Sequence, residues 1–183
     1  AMQWLQEHPN TSTATNLSTS RMIDDVANIH GCKTWRSAVG EANVASVMKE
    51  HGCVIGGEGN GGVIFPEVCW VRDSLSGMAL ILDLMRSKDK PLSNIVRGIP
   101  PYEMIKRTIG LENIGGLPAI EKEIERLKVE YAEYKQDDSD GLRIDFDEGW
   151  LHVRPSNTEP IARVIAEASD SLTAYKFSNR VKL

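Results

Sequence analysis

Gly149-Trp-Leu-His-Val-Arg-Pro-Ser-Asn-Thr-Glu-Pro-Ile-Ala-Arg-Val-Ile-Ala-Glu-Ala168 is the stretch on which the reading of this chain turns. Residues 150–154 and 161–168 are apolar and β-branched enough to predict two strands, and Pro155–Pro160 reads as the loop between them. That loop is dense in donors: Arg154, the Ser156 and Thr158 hydroxyls, the Asn157 amide and several backbone N–H groups, opposed only by Glu159. A guanidinium is a planar fork that matches two oxygens of a phosphate, and successive N–H groups in a tight turn form an anion-binding concavity. Arg163, on the strand leaving the loop, either adds a second charge to that site or is an ordinary strand residue. The same residues also fit a plain hairpin loop with an exposed Arg, and composition alone does not choose.

Upstream, Gly56-Gly57-Glu58-Gly59-Asn60-Gly61-Gly62 has five glycines in its seven residues, so its backbone can approach a ligand closely. The spacing is not that of a dinucleotide fingerprint, and no Lys-Ser/Thr follows as a Walker loop requires. A carboxylate and an amide set among glycines suit hydroxyl groups, because Glu58 accepts and Asn60 both donates and accepts. A tight turn without a ligand remains the alternative. Arg72-Asp73-Ser74-Leu75 then opens a helix over residues 73–87, apolar on most of its circumference and so expected to be buried.

Taken together, these segments resemble the α-D-phosphohexomutases, the family of phosphoglucomutase, phosphomannomutase and phosphoglucosamine mutase. Arg154–Pro160, preceded by Asp140-Gly141-Leu142-Arg143-Ile144-Asp145, resembles the family's phosphate-binding loop. Residues 56–62 resemble its sugar-binding loop, followed by its Asp-initiated helix. The resemblance implies that Arg154, Ser156, Asn157, Thr158 and Arg163 hold phosphate, and that Gly57, Glu58, Gly59, Asn60 and Gly61 hold the sugar. Asn60 stands where Ser is commoner, which bears on substrate preference. Two further positions depart from the family pattern. Glu41 stands where many members have a phosphate-contacting His; it either touches substrate or simply opens a helix with favourable dipole placement. Leu17 stands where some members have a substrate-binding Lys; Arg21 either takes that role or is a solvated helix-face residue.

Family members have four domains. The resemblance places this chain in the third, lacking its beginning (residues 1–98), and the fourth (residues 99–183). It implies a hexose phosphate substrate interconverted between its 1- and 6-phosphates through a bisphosphate, with the missing domains 1 and 2 of the same chain as partners. The phosphoserine and the Mg2+ ligands would lie in those domains, since the sequence has neither the serine context nor an Asp-Gly-Asp-Gly-Asp run. The chain alone is then expected to be inactive, with no catalytic residue and no metal site of its own. Phosphoglucosamine mutase and a non-catalytic sugar-phosphate binding module are the alternatives.

Around these motifs the chain reads as α/β: an α/β/α layered domain, then a small α+β domain with a four-stranded, mainly antiparallel sheet and two helices. Ile99-Pro100-Pro101 cannot continue a helix and marks the boundary. A net charge of −5 argues against a general nucleic-acid or membrane-surface binder. Cys32, Cys53 and Cys69 lack metal-ligand spacing and read as reduced core thiols, which predicts a cytoplasmic setting. Asp137-Asp138-Ser139-Asp140 reads as a solvated turn, and His152 as a surface strand position.

Overall fold

The computed structural model describes residues 1–156 and 158–183, which divide into two compact units, Ala1–Pro101 and Tyr102–Leu183.

The first unit is built on a four-stranded sheet of order β2-β1-β3-β4. Central β1 (Ser12–Asn16) runs parallel to β2 (Lys33–Ser37) and β3 (Ile55–Glu58), and β4 (Gly62–Ile64) returns antiparallel to β3. Parallel neighbours require crossovers, supplied by α2 (Met22–Ile29) and α3 (Glu41–Glu50). Ile55 packs with Leu5 of α1 (Met2–Glu7) and with Val26 and Ala27 of α2, whereas Ala14 packs with Val44 and Met48 of α3. Helices therefore cover both faces, giving the α/β/α layering. Thr13 and Thr15 are buried in β1 without penalty, because their hydroxyls donate to the Ile55 and Gly57 carbonyls of β3 at 2.8 and 2.9 Å.

Asp73 caps α4 (Ser74–Lys88), its carboxylate accepting from the Leu75 and Ser76 N–H groups. The burial expected of this helix is not found. Gly77 and Leu80 face the sheet side, against Val63 and its neighbours, while Leu75, Met78, Ile81 and Leu82 are exposed. An apolar circumference says that a helix needs cover, not that the chain in hand supplies it. A short α5 (Leu92–Val96) follows, just ahead of the Ile99–Pro101 boundary. Cys32 and Cys53 are buried, but Cys69 is partly exposed and so is not a core thiol.

The second unit is an antiparallel sheet of five strands, order β5-β9-β8-β7-β6, rather than four. Its strands are β5 (Glu103–Gly110), β6 (Lys135–Asp137), β7 (Leu142–Phe146), β8 (Gly149–Pro155) and β9 (Ile161–Ala168). The additional β6 is three polar residues with no alternation to betray it; pairing with residues 143–145 of β7 makes it a strand. Leu142, Ile144, Leu151, Val153, Val164 and Ala166 form one face of the sheet. They share a core with Ile120, Ile124 and Leu127 of α6 (Leu117–Glu130) and with Phe177 of α7 (Ser171–Ser178). The other face carries Arg143, Trp150, His152, Arg154 and Glu167, all buried. Trp150 donates to Glu167 at 2.7 Å and stacks beneath the Arg143 guanidinium at 4.2 Å.

Among the described residues, no helix is long and apolar enough to cross a membrane.

Candidate functional site

The three parallel strands of the first unit end at Asn16, Ser37 and Glu58, and ligands in open α/β sheets gather at such carboxyl ends. Glu58 is the last residue of β3, its side chain 5% exposed. One oxygen, Oε1, accepts from the Asn16 Nδ2 at 2.8 Å and from the Gly40 N–H at 3.1 Å. The other, Oε2, lies 3.1 Å from Arg72 Nη1. Asn16 is fixed in turn, its Oδ1 accepting from the Ser18 N–H and the Thr19 hydroxyl. Thr19 Oγ1 also accepts from the Gly59 N–H at 2.9 Å, which ties the turn of residues 59–61 to the loop after β1.

The glycines have distinct reasons. A Cβ on Gly57 would lie 2.1 Å from the Gly62 carbonyl oxygen, so β3 and β4 can approach as they do only without it. A Cβ on Gly62 would lie 2.0 Å from Arg72 Cδ, since that side chain crosses the loop there. Arg72 then reaches Glu41 Oε2 through Nε at 2.6 Å and Asn60 Oδ1 through Nη1 at 3.3 Å. Glu41, the first residue of α3, is thereby joined to Glu58 and Asn60, and its hydrogen bond from Arg72 holds its carboxyl below the usual range. A cavity of about 150 Å³ next to Glu58 is lined by Thr15, Thr19, Gly57 and Gly62 together with the apolar Ala14, Ile23, Ile55 and Val63; Glu41, Asn60 and Arg72 do not line it. Arg21 sits at the start of α2, on the loop leaving β1.

In the second unit the β8–β9 hairpin carries the donor-rich loop. Arg154 and Arg163 are direct Cα partners across that ladder. The loop is closed at its base, with the Ser156 N–H donating to the Ile161 carbonyl at 2.9 Å; the Thr158 N–H faces the Ser156 hydroxyl at a long 3.5 Å. Asn157, expected alongside them, lies outside the described residues. Arg154 is buried; its Nη1 donates to the Pro155 carbonyl and lies 3.6 Å from Asp140 Oδ1. Arg163 is half-exposed and pairs with Glu159 at 2.5 Å. Among the described residues, neither Nε has a hydrogen-bond partner.

His152 is fully buried, which corrects its reading as a surface position. Its strand is buried on both faces, and it faces Arg143 across the β7–β8 ladder. Nε2 sits 2.7 Å from the Asp140 carbonyl oxygen, so the neutral ring donates there. Burial first, then the nearby Arg143 and Arg154 charges, push its pKa down to about 4. The Asp140–Gly141 turn is thus held by His152 from its carbonyl side while its carboxylate faces Arg154.

Sequence reading missed Asn16, Thr19 and Gly40 as supports of Glu58. The end of a central parallel strand was the available signal for Asn16. Nothing local marks Gly40, whose contribution is a backbone N–H.

The comparisons with known proteins follow the same division. Residues 1–102 match Phosphoglucomutase/phosphomannomutase, alpha/beta/alpha domain III, and residues 118–181 match Phosphoglucomutase/phosphomannomutase, C-terminal domain. A phosphoglucomutase/phosphomannomutase of Thermococcus kodakarensis is 36% identical over 173 residues, covering 94% of this chain and 37% of that protein. A probable phosphoglucosamine mutase of Methanopyrus kandleri is 35% identical over 165 residues, covering 90% of this chain and 36% of that protein. The crystal structure of a phosphoglucomutase/phosphomannomutase family protein from Burkholderia thailandensis shares the fold, with a TM-score of 0.79 at 20% identity over 98% of this chain and 39% of that one. The chain therefore spans little more than a third of the length of its curated relatives. Two successive domain matches on one polypeptide, with the Gly-rich loop in the first and the Arg154 hairpin in the second, make the chain a member of the phosphoglucomutase/phosphomannomutase family.

Proposed function

We propose that this chain is the sugar- and phosphate-binding part of a phosphohexomutase, residues 1–98 serving the sugar and residues 99–183 the phosphate. The reaction is the interconversion of a hexose 1-phosphate and a hexose 6-phosphate through a bisphosphate. The observation that carries the reading is the cross-strand pair Arg154 and Arg163, each with an Nε that has no partner among the described residues, beside a loop of hydroxyls and N–H groups. Two cations forced together on one strand pair are stabilised by an anion, and a phosphate oxygen pair matches the guanidinium fork.

In this reading the preceding domains carry the phosphoserine and Mg2+, which would supply the phosphoryl group and neutralise its charge. The contribution of this chain is binding and orientation. Arg154, Arg163, Ser156, Asn157 and Thr158 hold the phosphate that is not transferred, and remote binding energy of that kind orients the reacting end. Glu58, through Oε2, and Asn60 accept hydroxyl protons of the ring, while Gly57, Gly59 and Gly61 let it come close. The exposed apolar side of α4 fits the same picture: relatives are about two and a half times as long, and their remaining domains are the cover it lacks. An amino-sugar phosphate is the second reading of the substrate, favoured by the M. kandleri relative, a probable phosphoglucosamine mutase.

The test is a titration of the chain with inorganic phosphate, followed by NMR of its backbone amides. Ser156, Thr158 and Arg163 signals are expected to move, and Arg154→Ala to abolish the response. Movement elsewhere, with these residues unchanged, would refute the phosphate assignment.

A further inference from the structure

Arg72 is more than a support for the Gly-rich loop. Three acceptors from different segments converge on it: Glu41 at the start of α3, Glu58 at the end of β3, and Asn60 in the turn. A guanidinium has five N–H groups. Nε donates to Glu41 and Nη1 to Asn60, and Nη1 also forms an ion pair with Glu58 Oε2 at 3.1 Å. Both N–H groups of Nη2 are without an acceptor among the described residues. The side chain is also the solvent-facing member of the network, 38% exposed against 5% for Glu58.

We propose that Arg72 reads the ligand directly, its Nη2 donating to a hydroxyl oxygen of the hexose ring beside the acceptors Glu58 and Asn60. The proposal rests on the sugar-binding role assigned above to residues 57–61 and adds a residue of opposite hydrogen-bonding sense. Glu58 and Asn60 Oδ1 offer mainly acceptors, and Glu58 Oε1 is already used by Asn16 and Gly40. A pyranose presents neighbouring hydroxyls, each both donor and acceptor. A carboxylate beside a guanidinium satisfies two of them at once, one donating to Glu58 Oε2 and the next accepting from Arg72 Nη2. Charge selects the neutral ligand: Arg72 carries one positive charge against two carboxylates, so the cluster is net negative and repels a phosphate. Preorganisation is built in, because Arg72 crosses Gly62 where no side chain would fit and is held at three points.

The experiment uses the whole 183-residue chain with 15N-labelled arginine side chains, titrated with glucose 6-phosphate and separately with inorganic phosphate. Glucose 6-phosphate is expected to shift the Arg72 Nε signal together with the amides of residues 57–61; inorganic phosphate should shift neither. Arg72→Met should weaken glucose 6-phosphate binding at least fivefold and leave inorganic phosphate affinity unchanged. Arg72→Lys, which keeps the charge beside Glu41 and Glu58 but has no second fork tip, should show the same loss, and it stands in if the Met variant does not fold. If the loop amides respond while Arg72 does not, and both variants bind glucose 6-phosphate within twofold of the parent, Arg72 is structural and the sugar-binding reading survives. If the loop amides themselves stay unmoved, the sugar-binding reading fails and the proposal with it.

Discussion

Arg154 on β8 and Arg163 on β9 stand directly opposite each other, two like charges at one rung of an antiparallel ladder. Asp140 at 3.6 Å and Glu159 at 2.5 Å offset them only in part, since among the described residues each keeps an unpartnered Nε. Like charges so placed destabilise a sheet by ~0.2–1 kcal/mol. Arg163→Gln is therefore expected to leave the unliganded chain as stable as the parent, or more so by up to that amount. The same change should weaken phosphate binding, so that phosphate raises the melting temperature less than it does for the parent. Thermal unfolding with and without phosphate measures both. A variant that loses stability and keeps full phosphate protection would show Arg163 to be part of the sheet's structure and not of an anion site.

His152 makes the second unit sensitive to acid. Its folded pKa of about 4 lies below the ordinary histidine value because the ring is buried and near Arg143 and Arg154. The unfolded chain thus takes up the proton first as pH falls. Stability attributable to this residue is full at neutral pH, declines from about pH 6.5 and levels out below about pH 4. At ~1.4 kcal/mol per pK unit the loss is on the order of 3 kcal/mol. His152→Gln preserves a donor toward the Asp140 carbonyl and removes the titration. Urea midpoints at pH 7 and pH 4.5 should therefore differ less for the variant than for the parent; equal differences would remove His152 from the account.

Two glycines of one loop should behave differently. Gly61 has φ 96° with nothing near a built Cβ, so Gly61→Ala meets only backbone strain of ~1–2 kcal/mol. At Gly57 the new Cβ would meet a backbone oxygen at 2.1 Å, which no rotamer relieves. Gly57→Ala is expected to destabilise at least twice as much and to displace Glu58 as well. Differential scanning calorimetry of the two variants decides it, and equal losses would show that the β3–β4 approach is not tight.

What the sequence made legible was local chemistry. Asp73 announces a helix start, and its carboxylate caps α4 by accepting from backbone N–H groups. The donor-rich loop between two apolar runs became the β8–β9 hairpin. Long-range pairings left no local trace: β6 is a strand only because β7 lies beside it, and Arg72 meets Glu41 across thirty-one positions. Alternation misled at His152, where a polar residue on a strand's second face proved buried among Trp150, Arg143 and Arg154. Periodicity detects which side chains differ, not which face is covered.

The exposed side of α4 gives the last expectation. Leu75 and Leu82 are 73% and 65% exposed, two turns apart on one side of the helix, with Met78 between them. Lysine has nearly the helix propensity of leucine, so replacing both loses neither backbone preference nor burial in this chain. Leu75→Lys with Leu82→Lys should change the unfolding free energy of the 183-residue chain by less than ~0.5 kcal/mol per site and reduce its self-association at high concentration. In a polypeptide that also carries the preceding domains, the same double change should lower the melting temperature. There, burying either side chain contributes ~1.5–3 kcal/mol, and a buried lysine would have to keep its charge out of an apolar contact. Urea titration and light scattering of the shorter chain, set against thermal unfolding of the longer one, separate the two cases. A loss above ~1 kcal/mol in the shorter chain would mean that α4 is already covered, and no change in the longer one would mean that its partners lie elsewhere.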